Sequence, residues 1–472
     1  MRSLMMKFLA AVFVAAISLA GICSAYAQNG AGPADVTFTV IPGQAAQENP
    51  FLGSVPVGQP TGALLPLSLK EALERGLKHN LGLLQREEAI RSERGRHWKE
   101  LSALLPNLTV QLSANIEKDN LAARGLTLPG IPSMVGPYDY YDTRVFLTQP
   151  VFDLPALDRA KAAAESLKAA EYLYHDAREL VVEAVGAAYL RTLSGEARVE
   201  TARAQVATAQ TLSDNAVQMH REGITPGIDE LRARVELQSR RQQLIAAENE
   251  FEKQKLLLAR IIGLPAGQEL ALVDKVPYAP LASVSLEQAL ESAYQSRQDY
   301  KSAIALEKAA ELTRDAASAR YFPSLALEAN YGGLGVDPGK LRGTYTVSGI
   351  IKIPLFQGGS VRGEVLQAEA ALKRSRDERA DLQARIAFEI RTALLDLKAA
   401  AELVEVAGTR ISLAELTLSQ ARERFTAGIS DNLEVVQAQG ASASAHEAYI
   451  SSLYAHNLAK LELARALGVA NR

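Results

Sequence analysis

Helical periodicity runs without a break from about Pro155 to Arg221, halts at Thr225-Pro226-Gly227-Ile228, and resumes from about Asp229 to Ile262. Straight, the first of these helices is ~100 Å long, several times the span of an ordinary globular helix. No single compact core covers such a rod, so it must pack lengthwise on other helices. The arrangement recurs later: a helical run from about Val361 to Thr426, a tip at Ser430-Asp431-Asn432-Leu433, and a return from Leu433 to Leu467. Two long hairpins organise everything else.

Each hairpin is entered through segments of a different period. In residues 107–116, Leu108, Val110, Leu112, Ala114 and Ile116 alternate with Asn107, Thr109, Gln111, Ser113 and Asn115. A period of two means a strand with one apolar face, and about ten residues is the length of a tilted membrane-crossing strand. Pro106 stops the helix that precedes it. After a Gly- and Pro-rich loop, a second strand runs from about Tyr140 to Gln149 and is ended by Pro150. Tyr141, Val145 and Leu147 face one way, Asp142, Arg144 and Thr148 the other, and Phe146 interrupts the polar face. Tyr138, Tyr140 and Tyr141 stand where an interfacial aromatic girdle is expected, whereas Trp98 reads as a packed helix residue. A third strand follows Pro323, with Leu325, Leu327, Ala329 and Tyr331 opposed to Ser324, Glu328 and Asn330. A fourth ends at Pro354, with Tyr345, Val347, Gly349, Ile351 and Ile353 opposed to Thr346, Ser348 and Lys352.

These segments repeat. Setting Pro323 over Pro106 aligns Val284-Ser285-Leu286 with Leu67-Ser68-Leu69, and Phe322-Pro323-Ser324-Leu325 with Leu105-Pro106-Asn107-Leu108, without a gap. Pro354 falls on Pro150, Gly428-Ile429 on Gly223-Ile224, and Leu467-Gly468 on Ile262-Gly263. The expected organisation is one unit used twice: residues 67–265, a linker over 266–283, and residues 284–472. In each unit a helix pair, two strands and a long hairpin follow one another. Ser68-Leu69-Lys70-Glu71 carries a capping box at the first helix start.

The start of the chain reads as a secretory signal over residues 1–27, with Arg2 and Lys7 before an apolar stretch and Ala25-Tyr26-Ala27 at the cleavage site. Cys23 lies within it and is preceded by Ile22, which favours plain cleavage over lipidation. Residues 28–66, rich in Gly, Pro, Ala and Gln, read as an extended arm. A net charge of −3 supplies no basic field for nucleic acid. The six histidines show no metal-ligand spacing, and neither a nucleophile–base set nor a phosphate loop is recognisable, so no enzyme and no cofactor is expected. Beyond the signal no apolar run is long enough for a membrane helix, so any membrane crossing falls to the strands.

Four strands with an apolar face cannot close a barrel, and open edges are not tolerated in hydrocarbon. Two chains would supply eight strands, too narrow for an open pore. Three would supply twelve, with room for a wet lumen. On the last helix Leu433, Val436, Gly440, Ala443, Ile450, Tyr454, Leu461 and Ala464 form a stripe, broken by Glu447 and Asn457, that suits a lateral helix seam.

With its two-fold repeat, Pro-bounded strand starts and ends, and the tip Arg424-Phe425-Thr426-Ala427-Gly428-Ile429 with Leu433-Glu434-Val435-Val436-Gln437-Ala438, the chain resembles the TolC-type outer-membrane efflux proteins. The resemblance spans nearly everything beyond the arm. It implies a mainly helical homotrimer: a twelve-stranded β-barrel in outer-membrane lipid above a periplasmic helical tunnel. It also implies a passive exit duct of a tripartite efflux or type I secretion system, with tips docked on a periplasmic adaptor driven by an inner-membrane transporter. Asp229 and Glu434 fall where that family has pore-facing acids, Gln437 replaces a further acid, and Phe425 an aromatic hydroxyl. Asp229 and Glu434 fit equally a helix-start role on the N-terminal dipole, and Asp431 a cap or a lumen charge. Gly223 and Gly428 end the outgoing helices and, with Ile224 and Ile429, mark the expected adaptor contact. The competing expectation is a periplasmic coiled-coil adaptor or scaffold, which has no use for paired strands with apolar faces.

Overall fold

The computed structural model describes residues 49–125, 129–130, 132–274, 278–280, 284–427, 429–430 and 432–470. The expected signal peptide, Cys23, the first part of the arm, Gly428 and Asp431 lie outside the described residues. From Asn49 onward the chain forms one unit.

Its helices are α1 (Leu69–His79), α2 (Leu81–Ser102), α3 (Leu154–Arg221), α4 (Gly227–Ile261), α5 (Leu286–Ser296), α6 (Gln298–Ala319), α7 (Ser360–Thr426) and α8 (Asn432–Ala466). The strands are β1 (Leu65–Leu67), β2 (Asn107–Asn120), β3 (Met134–Phe152), β4 (Leu270–Leu272), β5 (Ser324–Gly335) and β6 (Arg342–Lys352). The outgoing helices α3 and α7 have 68 and 67 residues, and the returning α4 and α8 have 35 each. Starts follow local chemistry. Ser68 and Glu71 form the reciprocal capping box of α1, and Asp153 accepts from the Ala156 amide at 2.8 Å to start α3, with Pro155 in its first turn. Among the described residues no helix is long and apolar enough to cross a membrane.

Helix α3 is the spine. It packs along α2, α4, α6 and α8, while α7 packs on α6 and α8. Apolar burial concentrates where the short helices meet the hairpin bases. Around α1 the core holds Leu67, Val181, Val185, Tyr189, Leu258 and Ile262; around α5 it holds Ala289, Ala293, Ile386, Ile390 and Leu463. The Tyr189 hydroxyl donates within reach of Leu67 O (3.0 Å) and Asp274 Oδ2 (2.8 Å). Burial, then that carboxylate, pushes the phenol well above its usual range.

The arm is not free along its second half. Its Val55 amide donates to His79 O at 2.9 Å, Asn80 Nδ2 to Phe51 O at 2.7 Å, and β1 pairs in parallel with β4. At the base of the second hairpin an ion cluster stands instead. Arg297, 3% exposed, forks onto Asp299 (3.0 and 2.6 Å) and reaches Glu389 Oε2 at 2.6 Å, while Arg465 holds Asp176 at 2.7 Å. Burial pushes the Asp299 carboxyl up, but Arg297 outweighs it and holds Asp299 below the usual range.

The large sheet is antiparallel, in the order β2-β3-β5-β6, so β2 and β6 are its edges. The register puts Val110 opposite Val145, Val145 opposite Tyr331 and Tyr331 opposite Tyr345 on one apolar face. On the polar face Arg144 bonds Asp142 (3.2 Å), Asn330 (2.7 Å) and Thr344 (3.2 Å), tying three strands.

Three expectations are corrected. Pro150 does not end β3, which continues to Phe152 through a register shift; proline removes one donor and a bulge absorbs the loss. Tyr138 and Tyr140 lie on the polar face opposite Glu117 and Asn115, and Tyr138 donates to Asp119, so alternation leaves only Tyr141 of the three on the apolar face. Trp98 is 60% exposed rather than packed. Within one chain α8 buries Asn432, Val435, Ala438, Ser442, Ala445, His456, Ala459, Leu463 and Ala466, while the stripe expected of a lateral seam stays partly exposed beside them.

Replacing Arg297 with Leu leaves Asp299 buried beside an apolar side chain. The expected loss is about 3 kcal/mol, the low end for a broken buried pair because Glu389 stays partly solvated. It is read as a lower midpoint in denaturant melts, with Arg297→Leu/Asp299→Leu recovering part of it.

Candidate functional site

At the first tip α3 ends in a left-handed Gly223, φ 77°. The Gly223 amide donates to His220 O at 3.0 Å and the Ile224 amide to Met219 O at 2.9 Å, the paired bonds of a Schellman cap. Pro226 then starts α4, placing Asp229 and Glu230 in the first turn at the positive end of its dipole. At the second tip the Ile429 amide reaches Arg424 O at 2.9 Å, the same span, and α8 begins at Asn432.

The two tips are joined. Asn432, 1% exposed, donates from Nδ2 to the main-chain oxygen of Asp229 at 3.0 Å. Asp229 is itself 5% exposed, and its carboxylate lies 3.4 Å from Arg232. Beneath this bond Ala421, Phe425, Val435 and Ala438 form a small core with Leu212, Met219 and Leu418 against it. Phe425 therefore packs inside the tip. Glu434 pairs with Arg424 at 3.4 Å, both half-exposed, and Gln437 is exposed. Of the apolar tip residues, Ile224 and Ile429 are 61% and 72% exposed, and Ile228 and Leu433 are also open to solvent.

Above the tips the two hairpins meet through polar and small side chains. A cavity of about 340 Å³ is lined by Thr201, Thr208, Arg240, Gln439, Ser442 and His446. Arg240 is held within α4 by Glu236 (2.7 Å) and Gln243 (3.0 Å). Among the described residues no group of His, Cys, Asp or Glu is placed to hold a metal ion.

Asn432 and Arg424 escaped sequence reasoning as site residues. Asparagine before a helix signals a cap, and nothing local tells that its amide crosses to the other hairpin. The Arg424–Glu434 pair joins two helices across a turn, a distance that periodicity does not report.

The family model described as outer membrane efflux protein matches residues 73–264 and 289–469. Among curated proteins, the toluene efflux pump outer membrane protein TtgC of Pseudomonas putida is 32% identical over 190 residues, 37% of this chain and 37% of its own length. The matched segment thus spans little more than a third of that relative. The alkaline protease secretion protein AprF of Pseudomonas aeruginosa is 24% identical over 409 residues, 81% of this chain and 82% of its own. Solved structures share the fold. The Campylobacter jejuni CmeC outer membrane channel aligns with TM-score 0.76 at 17% identity over 95% of each chain. The Vibrio cholerae outer membrane protein VceC aligns with TM-score 0.74 at 20% identity over 85% of this chain and 96% of its own. None of these is named as an enzyme. With both halves matched by one family model and the long hairpins and four-stranded sheet in place, the chain is an outer-membrane protein and belongs to the outer membrane efflux protein family.

Proposed function

We propose that three copies close a twelve-stranded barrel in the outer membrane, continued below by a helical tunnel, and that the assembly is a passive exit duct from the periplasm to the outside. One observation carries this reading: a four-stranded antiparallel sheet with one apolar face and two unpaired edges, standing at the head of two hairpins of matching length. Open edges cannot persist in hydrocarbon, so further copies must supply the missing strands.

The chain on this reading is a signal peptide (1–27), an arm (28–66) and two copies of one unit (67–265 and 284–472) joined by a linker (266–283). The paired cores favour duplication. Val181, Val185 and Leu258 of the first stand where Ile386, Ile390 and Leu463 stand in the second. Energy for transport comes from an inner-membrane transporter through a periplasmic adaptor. The exposed Ile224 and Ile429, on the turns of Gly223 and Gly428, form the apolar ridge an adaptor grips. Of the acids expected at the tunnel mouth, Asp431 and the half-exposed Glu434 are the ones that would favour cations mildly, whereas Asp229 is buried beside Arg232. Cargo is of the kind the relatives are named for, a small organic toxicant or a secreted protein.

Val110→Arg or Leu327→Arg puts a charge on the apolar face at a cost of ~2–4 kcal/mol near mid-membrane and is expected to reduce trimer recovered from outer membranes. Undiminished trimer refutes the strand assignment. Ile429→Asp should leave trimer yield intact while lowering resistance to exported compounds; unchanged resistance counts against tip docking. Asn432→Leu keeps the side chain's branching and heavy-atom count but removes the bond to Asp229, and is expected to raise single-channel conductance in planar bilayers. Conductance equal to that of the unsubstituted protein would show that this bond does not restrain the mouth.

A further inference from the structure

The register divides the polar face of the large sheet into rows that run across its strands. One row holds Gln111, Arg144, Gly332 and Thr344, and Arg144 is its only charge. The row next to it on the side of the helices holds Thr109, Phe146, Asn330 and Thr346, with no charge and one aromatic ring. The row on the side of the loops holds Ser113, Asp142, Leu334 and Arg342. Two arginines thus stand against one aspartate, an excess of positive charge in every chain. The nearest further charges on this face are Glu328, two rows from Arg144 towards the helices, and Glu117, three rows towards the loops. Successive rows are ~7 Å apart, so both lie beyond the ~8 Å screening length at physiological salt.

Arg144 is laid across the wall. Its Nε donates to Asp142 Oδ1 at 3.2 Å, Nη1 to Asn330 Oδ1 at 2.7 Å and Nη2 to Thr344 Oγ1 at 3.2 Å. To reach β6 it crosses β5 at Gly332, where an added Cβ would come within 2.9 Å of Arg144 Cβ. A guanidinium has five N–H donors, so one on each terminal nitrogen is left over. The side chain stays 17% exposed, fixed in place without being sealed. Phe146, two residues on along β3, stands half-buried on the same face. The fold requires neither residue. With Pro354 set on Pro150, Ser348 takes the place of Arg144 and Ile350 that of Phe146, and β6 forms with them.

Resting on the barrel reading above, in which the polar face lines the lumen, we infer that Arg144 and Phe146 are a specificity-determining contact for organic anions that carry an apolar body. A carboxylate or sulfonate meets the free N–H groups of Arg144, and the body lies against the Phe146 ring. A guanidinium already held by three partners loses little freedom when it engages an anion. Three copies repeat the contact around the lumen. An inorganic anion gains only the charge there. An organic cation gains only the ring and meets the excess of arginine.

The test uses the full-length assembly in planar bilayers, with 1-naphthalenesulfonate as the probe on both sides. It is expected to reduce the open-channel current in a concentration-dependent way. Arg144→Gln should raise the half-blocking concentration about 5-fold, for the loss of a charge-assisted hydrogen bond. Phe146→Thr should raise it about 3-fold, for the loss of the aromatic contact. Arg144→Lys, which keeps the charge without the fork, should fall between Arg144→Gln and the unsubstituted protein. Block by phenyltrimethylammonium should not weaken in Arg144→Gln; an equal weakening would mark a general change of the pore and overturn the contact. Because Arg144 ties three strands, sizing in mild detergent accompanies every variant. Where Arg144→Gln fails to assemble, Phe146→Thr decides, since it leaves those bonds in place. Half-blocking concentrations equal to that of the unsubstituted protein, or no block of an intact assembly, overturn the contact and leave the duct standing. Unsubstituted protein that is monomeric in detergent overturns the barrel reading and the contact together.

Discussion

Main-chain hydrogen bonding at a sheet edge governs this molecule. The ladders from β2 to β6 are paired throughout apart from register shifts at Glu117/Asp119 and Pro150/Phe152, but among the described residues the outer sides of β2 and β6 pair with no other strand. In water such an edge is tolerable. In hydrocarbon each unmatched amide or carbonyl costs several kcal/mol, so the apolar face and the open edges cannot coexist in one copy. On the proposed reading, the apolar alternation of Leu108 to Ile116 is then a commitment to assembly. The same proposal accounts for the helices below, since a wall built from several chains needs long rods with lateral seams more than it needs a globular centre.

The lengthwise division of labour follows. At the hairpin bases the chain spends its large apolar side chains and its buried ion pairs: Tyr189, Ile386 and Ile390, then Arg297 with Asp299. Towards the tips the residues between hairpins become Thr, Ser, Gln and Ala, and at the tips the hairpins meet through the small core around Phe425 and one neutral bond from Asn432 to Asp229 O. A hydrogen bond of that kind is worth about 1 kcal/mol net, whereas breaking the Arg297 cluster costs several times as much.

Much of this was legible in residue order. The 3.6-residue period located all four long helices, and the two-residue period located β2, β5 and β6, because both report which face is buried without reference to any partner. Gly223 was legible as a helix end because left-handed backbone suits little else. What escaped depended on contacts distant in the chain. The arm looked unstructured since Val55 and Phe51 are ordered by His79 and Asn80, not by their neighbours. Burial of Phe425 is set by Leu212 and Met219 on the other hairpin.

The halves differ where their surroundings differ. In the first, Gly263 packs under the arm: a Cβ there would meet His79 Cβ at 2.7 Å, and the Val57 amide already bonds its oxygen at 3.2 Å. Among the described residues no such arm lies over the second half. Gly468 packs under Arg297, whose Cα would lie 2.9 Å from an added Cβ, and the groove is filled by the guanidinium and its carboxylates. An arm seals by burying Phe51 and adding main-chain bonds; an ion cluster seals by pairing charges that cannot be left alone. The cluster is the more exacting of the two, since one missing partner exposes a buried charge, whereas a frayed arm simply returns its bonds to water. Arg297 also starts its helix without a side-chain cap, so the ion cluster is what holds that helix start.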